Sequence, residues 1–491
     1  MVFSSHLFIY YFLPFALLGY YALFKAPQRW RNFWLIVTGY IFYGWAEPRF
    51  MGLMFATTFI DWIMSLVIAH NSWRAWRFWH RPVEIVNPAH RKTRTRRMAI
   101  TTSVVSNLVV LGFFKYFNFG IDSYNTLVES LGLAHLQWDT FFRVVLPLGI
   151  SFYTFQALSY TIDVYRGKAH AMANFIDFSC FVSMFPHLVA GPILKFSFLA
   201  DQLKNRRLTS DKFARGVAFF LLGLAKKILL ANPSGKIADT VFDAGTIGTL
   251  DAWFGSVAYA FQIYFDFSGY SDMAIGLGLM FGFVFAKNFD APYLAESITD
   301  FWRRWHISLS TWLREYLYIP LGGNRHGITR TYANLIITML LGGLWHGASW
   351  NFVIWGGIHG GMLAFERSQG RTSFYQRLPK PLRIGLTFVI VLLGWVFFRA
   401  ASLRRAIEYL GAMFGLRHPF PSASLIGGVI HKPYYLLSIA IAAAVVWAGT
   451  QTWDWTQKIT WPKTAACFAL GWLALIILAT QEYNPFIYFI F

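Results

Sequence analysis

Charge is scarce in this chain and unevenly signed: 13% of its 491 residues are Asp, Glu, Lys or Arg, with 23 acidic against 43 basic. A soluble globular domain carries about a quarter charged residues. Hydrophobic residues make up 56% of the chain, so a soluble fold is excluded and an all-α polytopic membrane protein is expected. Cysteine is nearly absent. Cys180 and Cys467 both lie in apolar stretches, which excludes a disulfide framework and a cysteine-based metal site, and neither a metal nor a bound cofactor is expected. Also missing are a phosphate-binding glycine loop, a Gly-x-Ser-x-Gly elbow and a His-Glu-x-x-His pair. Nucleotide-driven pumping and serine or zinc hydrolysis are thereby set aside. No fixed-period repeat and no pair of inverted halves is evident, which counts against a secondary transporter or channel.

What the chain does have is a succession of apolar segments separated by basic ones. Residues 7–24 lack a basic leader and a small-residue cleavage site, so they are expected to form a retained helix and not a signal peptide. Basic residues concentrate in four segments: eight against Glu84 alone over 73–97, six against two over 195–215, five against one over 303–330, and five against one over 366–383. These segments hold almost all of the formal +20 charge, and they alternate with apolar spans as cytoplasmic loops do, unlike a nucleic-acid surface. The same rule predicts both termini on the outer, periplasmic side, with the aromatic tail 484–491 there too. It predicts helices near 32–46, 50–69 and 98–116, an acidic outer stretch over 117–142 carrying Asp122, Glu129 and Asp139, and a helix over 144–162.

Residues 175–193 must return to the side they left. They contain Phe185-Pro-His-Leu-Val-Ala-Gly-Pro192, so a broken, re-entrant segment is predicted. Spans are expected over 213–231, 252–281 (long for one crossing, hence kinked or composite), 383–398, 433–447 and 464–480, for about 10–12 transmembrane helices in all. One feature runs against this topology: Arg399, Arg404, Arg405, Arg417 and Lys432 fall on the outer side, where residues 403–416 read as an amphipathic surface helix. The whole chain, 1–491, is read as one domain, with peripheral helices over 1–116 and 383–491 and a core over 144–366.

Within that core, Leu341-Gly-Gly-Leu-Trp-His-Gly-Ala-Ser-Trp-Asn-Phe-Val-Ile-Trp-Gly-Gly-Ile-His359 places the imidazole of His346 in an apolar, glycine-broken segment. Burying such a group is costly, which makes His346 a functional candidate, and imidazole suits acid-base or acyl-transfer chemistry near neutral pH. Both flanks of the segment are basic, so it enters and leaves on the cytoplasmic side with His346 near its apex. Fifteen helical residues over 332–346 would rise about 22 Å. Gly342, Gly343, Gly347, Gly356, Gly357, Gly360 and Gly361 would allow close helix packing or contact with a threading substrate. A structural histidine hydrogen-bonded across a glycine-packed interface is the plainer alternative.

Residues 297–324 form a second constellation. Ser297 or Thr299 would cap a helix, and Pro320, Gly322 and Gly323 would end it. Trp302, Trp305, Leu309, Trp312, Leu313 and Tyr316 recur at helical spacing beside Arg303, Arg304 and Arg314. This describes an interfacial helix at the cytoplasmic surface, acting as a membrane anchor. Alternatively, Arg303, Arg304 and Arg314 attract an anionic donor such as a coenzyme A pyrophosphate, with His306 orienting it. A third run, Tyr264-Phe-Asp-Phe-Ser-Gly-Tyr-Ser-Asp272, sets Asp266, Ser268, Ser271 and Asp272 among apolar residues. They should pair with those arginines or face a cavity, where Asp266 and Ser268 would bind substrate. Asp61 and His187 read as lining polar groups.

Several of these strings resemble one family. Met1-Val-Phe-Ser-Ser5, Pro147-Leu-Gly-Ile-Ser-Phe152, Tyr160-Thr-Ile-Asp-Val-Tyr-Arg-Gly167, the 185–192 string, Tyr264-Phe-Asp-Phe-Ser-Gly-Tyr-Ser-Asp-Met-Ala-Ile-Gly276, residues 301–324 and residues 342–347 resemble the membrane-bound O-acyltransferases, in particular their bacterial alginate O-acetyltransferase branch. The resemblance implies tilted helices around a thin centre with funnels from both membrane faces. It implies that His346 is the family's catalytic histidine and His306 its second recurrent histidine. It also implies that acetyl groups pass from a cytoplasmic donor, acetyl-CoA, across the bacterial inner membrane to an exported polysaccharide through a separate periplasmic acetyltransferase. Alginate is the first acceptor to consider, with cellulose, peptidoglycan or another glycan open. Two other classes stand beside this expectation: the transporter or channel, and a scaffold that recruits periplasmic enzymes, for which a buried imidazole is not required.

Overall fold

The computed structural model describes residues 1–74, 77, 85–87, 92–138, 142–245, 247–370, 377–417 and 424–487. Arg81, Glu84, Arg91, Asp139 and Arg371, on which the charge pattern partly rests, lie outside the described residues, as do tail residues 488–491. Among the described residues every regular element is helical, as expected of a chain that must satisfy its own backbone in hydrocarbon. Pro48–His70, Arg94–Ser130, Lys380–Arg399 and Trp461–Thr480 are long and apolar enough to cross a membrane unaided, while Phe8–Ala22 and Pro433–Ala448 are apolar but shorter. The protein is a multi-pass membrane protein. The chain divides into two compact units, Met1–Phe213 with Gly278–Phe285, and Ala214–Leu277 with Ala286–Phe491.

The first unit is built on a cluster of Phe3, Phe8, Phe12, Phe42 and Phe185, whose rings pack at centroid distances between 4.9 and 6.1 Å. Its longest helix, Arg94–Ser130, has 37 residues and is about 56 Å long, well beyond the hydrocarbon thickness. Residues 117–130, expected as an acidic outer stretch, therefore continue this helix. The single Gly120 does not stop it, and Asp122 pairs with Arg143 at 2.8 Å. The broken segment appears where it was expected. Phe175–Ser183 ends before Met184, and Phe185–Leu188 adds one short turn. A continuous helix would drive the Pro186 ring into the Val182 carbonyl.

Asp61 accepts hydrogen bonds from Ser103 Oγ at 2.6 Å and Asn107 Nδ2 at 2.9 Å, and His187 Nε2 meets the Phe181 carbonyl at 2.7 Å. Both polar side chains thus join helices within the first unit. Cys180 and Cys467 are buried and free.

In the second unit the Ser210–Ala225 and Thr249–Met280 helices cross at glycines. A Cβ on Gly223 would lie 2.5 Å from the Gly269 carbonyl, and one on Gly276 would lie 2.5 Å from the Gly216 carbonyl. Thr249–Met280 is one unbroken helix of 32 residues. Chain continuity past residue 231 also exceeds expectation: a π-helical stretch, Lys226–Ala231, leads into Asn232–Phe242. Pro233 has no N–H to donate back along the helix, and the widened turn just before it absorbs that missing bond.

The helix expected over 297–319 is in fact two. Ile298–Arg304 is capped by Ser297, whose side chain accepts from Asp300 N, and Ile307–Leu313 follows a break at His306. The aromatic stripe does not anchor lipid: Trp302, Trp305, Leu309, Trp312, Leu313 and Tyr316 are all buried within the protein. Residues 403–416 do contain the amphipathic helix, Leu403–Met413, which buries Ala406, Tyr409, Ala412 and Met413.

Candidate active site

The Ile328–His346 helix has 19 residues and ends on His346, about 28 Å along the axis from its start. Gly347 is extended, and Ser349 Oγ caps the returning helix Trp350–Ser368 by accepting from Asn351 N at 3.3 Å. The two arms touch at glycines: a Cβ on Gly343 would sit 2.1 Å from the Phe352 carbonyl, and one on Gly356 would sit 2.4 Å from the Met339 carbonyl. Backbone-to-backbone packing of this kind fixes the tip of the hairpin, and with it the imidazole. Gly361 has nothing within 4 Å, so only part of the glycine set serves this packing.

At the tip the imidazole is half-buried in an aromatic box. The rings of Trp345, Trp355 and Phe398 stand edge-on to His346 at 5.0, 5.3 and 5.1 Å. It shares a cavity of about 10 Å³ with Ile263, Phe267, Trp305, Trp395, Phe398 and Ile487. That volume is about one water's worth.

His306 is fully buried and is held at the helix break with φ 43°, a conformation unusual for a residue with a side chain. Asn288 holds it there. Its Oδ1 accepts from Ser308 N at 3.2 Å and Ser308 Oγ at 2.8 Å, and it lies 3.2 Å from His306 Nδ1. Because that oxygen is already fixed as an acceptor, Nδ1 carries the ring hydrogen and Nε2 keeps its lone pair. Nε2 is buried with no protein partner. Phe267 stands edge-on to His306 at 4.6 Å while also lining the His346 cavity, and the Trp345 ring lies 6.3 Å from His306. The structure thus brings the two histidines of the sequence reading to the same aromatic wall.

The remaining expected residues are placed differently. Asp266 does not line the His346 cavity, and its ionic partner is a lysine. It pairs with Lys227 at 2.7 Å, with both side chains no more than 3% exposed, and its Oδ2 accepts from Ile487 N at 2.8 Å. Asp272 likewise pairs with Lys226 at 2.7 Å. Ser268 and Ser271 are buried with hydroxyls that have no hydrogen-bond partner. Arg303 and Arg314 are exposed, Arg304 is tied to Asp300 at 2.9 Å, and none of the three lines the His346 cavity.

The arginine-bearing Ile298–Arg304 helix is instead bolted to the returning arm. The Glu366 carboxylate accepts from Ile298 N at 2.6 Å and Thr299 N at 2.8 Å, satisfying its first free N–H groups. Trp302 Nε1 donates to His359 Nδ1 at 3.3 Å.

Asn288, Trp395, Phe398, Lys227 and the tail join this region without having been expected there from the sequence. Lys227 Nζ donates to the Pro485 carbonyl, Asn232 Nδ2 donates to the Tyr483 carbonyl at 3.2 Å, and Phe486 and Ile487 are buried. The available signal was composition: Pro485-Phe-Ile487 is too apolar to be left in water.

Residues 98–403 match the membrane-bound O-acyltransferase family. The chain is 44% identical over 513 residues to the probable alginate O-acetylase AlgI of Pseudomonas putida, covering 100% of both chains. It is 49% identical over 414 residues to the protein of that name from Azotobacter vinelandii, covering 84% of this chain and 78% of the relative. The Helicobacter pylori peptidoglycan O-acetyltransferase is 36% identical over 448 residues, covering 85% of this chain and 80% of the relative. The chain belongs to the membrane-bound O-acyltransferase family and is an acyltransferase enzyme.

Proposed function

We propose that the protein moves acetyl groups from acetyl-CoA on the cytoplasmic side of a bacterial inner membrane to alginate outside, by way of a periplasmic acetyltransferase. The observation that carries this reading is the His346 imidazole, held at the tip of an apolar hairpin in an aromatic cavity with His306 on the same wall. Both termini are read as periplasmic, and the hairpin's open end, with Arg325 and Arg330, as cytoplasmic. The names of the relatives at 44% and 49% identity favour alginate over other glycans.

In this reading His346 is the general base. An acceptor hydroxyl enters from the outer side and gives its proton to the imidazole, and its oxygen attacks the thioester carbonyl. The tetrahedral intermediate expels the thiolate, which takes the proton back from the imidazolium. A positioned base of this kind contributes roughly 10²–10⁴-fold in rate. His306, with a free Nε2, contacts the reacting group at the other end of the Phe267 edge. Exposed Arg303 and Arg314 attract the donor's phosphates, while Asp266 and Ser268, read from the sequence as substrate ligands, support the wall that Phe267 presents.

Proteoliposomes test this reading, with radiolabelled acetyl-CoA on the Arg325 face and the periplasmic acetyltransferase with alginate on the other. Label should reach alginate without accumulating on the protein. Label held on wild type and absent from His346→Ala would replace the general base with a transient acetyl carrier, and failure of label to cross would overturn the reading.

A further inference from the structure

Three of the four arginines that run against the positive-inside pattern line one cleft. Arg399, Arg405 and Arg417, with Phe242, Asp243 and Glu408, are among the residues lining a cavity of about 450 Å³ in the second unit. Its arrangement follows from the amphipathic Leu403–Met413 helix, on which Arg405, Glu408, Tyr409 and Ala412 recur at helical spacing and face the cleft together, with Arg404 exposed beside them. Glu408 Oε1 lies 3.0 Å from Arg404 Nε and 3.6 Å from Arg417 Nη1, and Oε2 lies 3.5 Å from Arg405 Nη1. One carboxylate therefore gathers three guanidinium groups. Its hydrogen bond from Arg404 holds the Glu408 carboxyl below the usual carboxylate range, so it stays charged and keeps them convergent. Arg399 also lines the cleft, fixed by Asp239 at 2.6 Å and Asp243 at 3.3 Å.

The cleft adjoins the transfer site along the chain, because the ring of Phe398, the residue before Arg399, is 5.1 Å from His346. Phe414 and Leu416 beside it are exposed, which suits a segment lying on the bilayer surface. Positive charge kept on the outer face needs a reason other than topology. We propose that this cleft binds a carboxylate-bearing sugar polymer, a polyuronate, and holds it at the outer mouth of the acyl-transfer site. The inference rests on the reading that the His346 end of the hairpin faces outward. Guanidinium forks match carboxylates bidentately, and Arg405 and Arg417, each about half exposed (54% and 53%), have donors to spare beyond Glu408. A cavity of this size is in the range of small-ligand sites of roughly 300–1,000 Å³. It takes a short stretch of sugar rings, whereas the docking face of a folded partner would be broader.

The test uses full-length protein in neutral-lipid nanodiscs and three labelled probes: an alginate oligosaccharide, the same oligosaccharide with its carboxylates reduced to alcohols, and oligoglutamate. The alginate probe should bind and weaken with salt, and the reduced probe should not bind. Arg405→Gln/Arg417→Gln should weaken binding by about 100-fold, roughly tenfold for each charge-assisted hydrogen bond removed. His346→Ala should bind as wild type does while losing acetyl transfer. Equal binding of the reduced probe, undiminished binding by the double variant, or a preference for oligoglutamate, which would mark a partner protein's acidic segment, would each overturn the proposal. Arginine-dependent binding by a protein that transfers no acetyl group would leave the cleft standing and sink the acetyl-transfer reading. Acetyl transfer without such binding would do the reverse.

Discussion

Substituting Asp266→Asn separates a structural carboxylate from a substrate ligand. At 2.7 Å and with both side chains nearly inaccessible, the Lys227–Asp266 attraction is worth about 6 kcal/mol at an effective dielectric constant of about 20. Desolvation of the two ions offsets much of that, so the pair adds little to stability relative to an apolar pair. Removing one partner is another matter, because it strands the other charge, at a cost of about 3–5 kcal/mol. Asp266→Asn and Lys227→Met should each lose that much. The double variant should recover to within about 2 kcal/mol of wild type, since Asn keeps an acceptor for Ile487 N and no lone charge remains. Loss of folded monomer on heating in detergent, followed by size exclusion, reads all four proteins. Single variants within about 1 kcal/mol of wild type, or a double variant as unstable as the sum of the singles, would refute the reasoning. A stable but inactive double variant would return Asp266 to the substrate.

Two further perturbations probe the hairpin and the histidine break. Gly343→Ala forces a Cβ against the Phe352 carbonyl and should cost about 1–3 kcal/mol in the same assay, whereas Gly361→Ala, in open space, should be neutral or stabilising by up to about 1 kcal/mol; equal effects would contradict the packing. Asn288→Ala removes the acceptor that pins His306 and Ser308 and should cost about 1–3 kcal/mol together with acetyl transfer. A wild-type rate for Asn288→Ala would dismiss the positioning role.

The sequence shows most clearly what local hydrophobicity and charge control. Residues 383–398 are bounded by Lys380, Arg383 and Arg399, and the span found, Lys380–Arg399, follows them closely. The Gly-rich run around His346 allows either close helix packing or contact with a threading substrate, and Gly343 and Gly356 provide the close packing. Long-range pairing leaves no such trace. Lys227 and the arginines of the 303–314 run are about equally far from Asp266 in sequence, so position does not choose between them, and the tail that Asp266 also holds lies 221 positions away. The break at His306 was hidden for a different reason. A positive φ in a non-glycine residue is imposed by tertiary bonds to Asn288, and helical periodicity runs straight through it. The aromatic stripe illustrates a third limit: spacing shows that Trp302, Trp305 and Trp312 share a face, but lipid and protein are equally apolar partners for it.

The central claim is that His346 carries the chemistry. Polysaccharide acetylation should be measured in cells carrying wild type, His346→Ala or His306→Ala at matched protein levels, with each variant's folding checked by size exclusion. His346→Ala should fold, reach the membrane and leave the polysaccharide unacetylated. Normal acetylation by a well-expressed His346→Ala protein would contradict it.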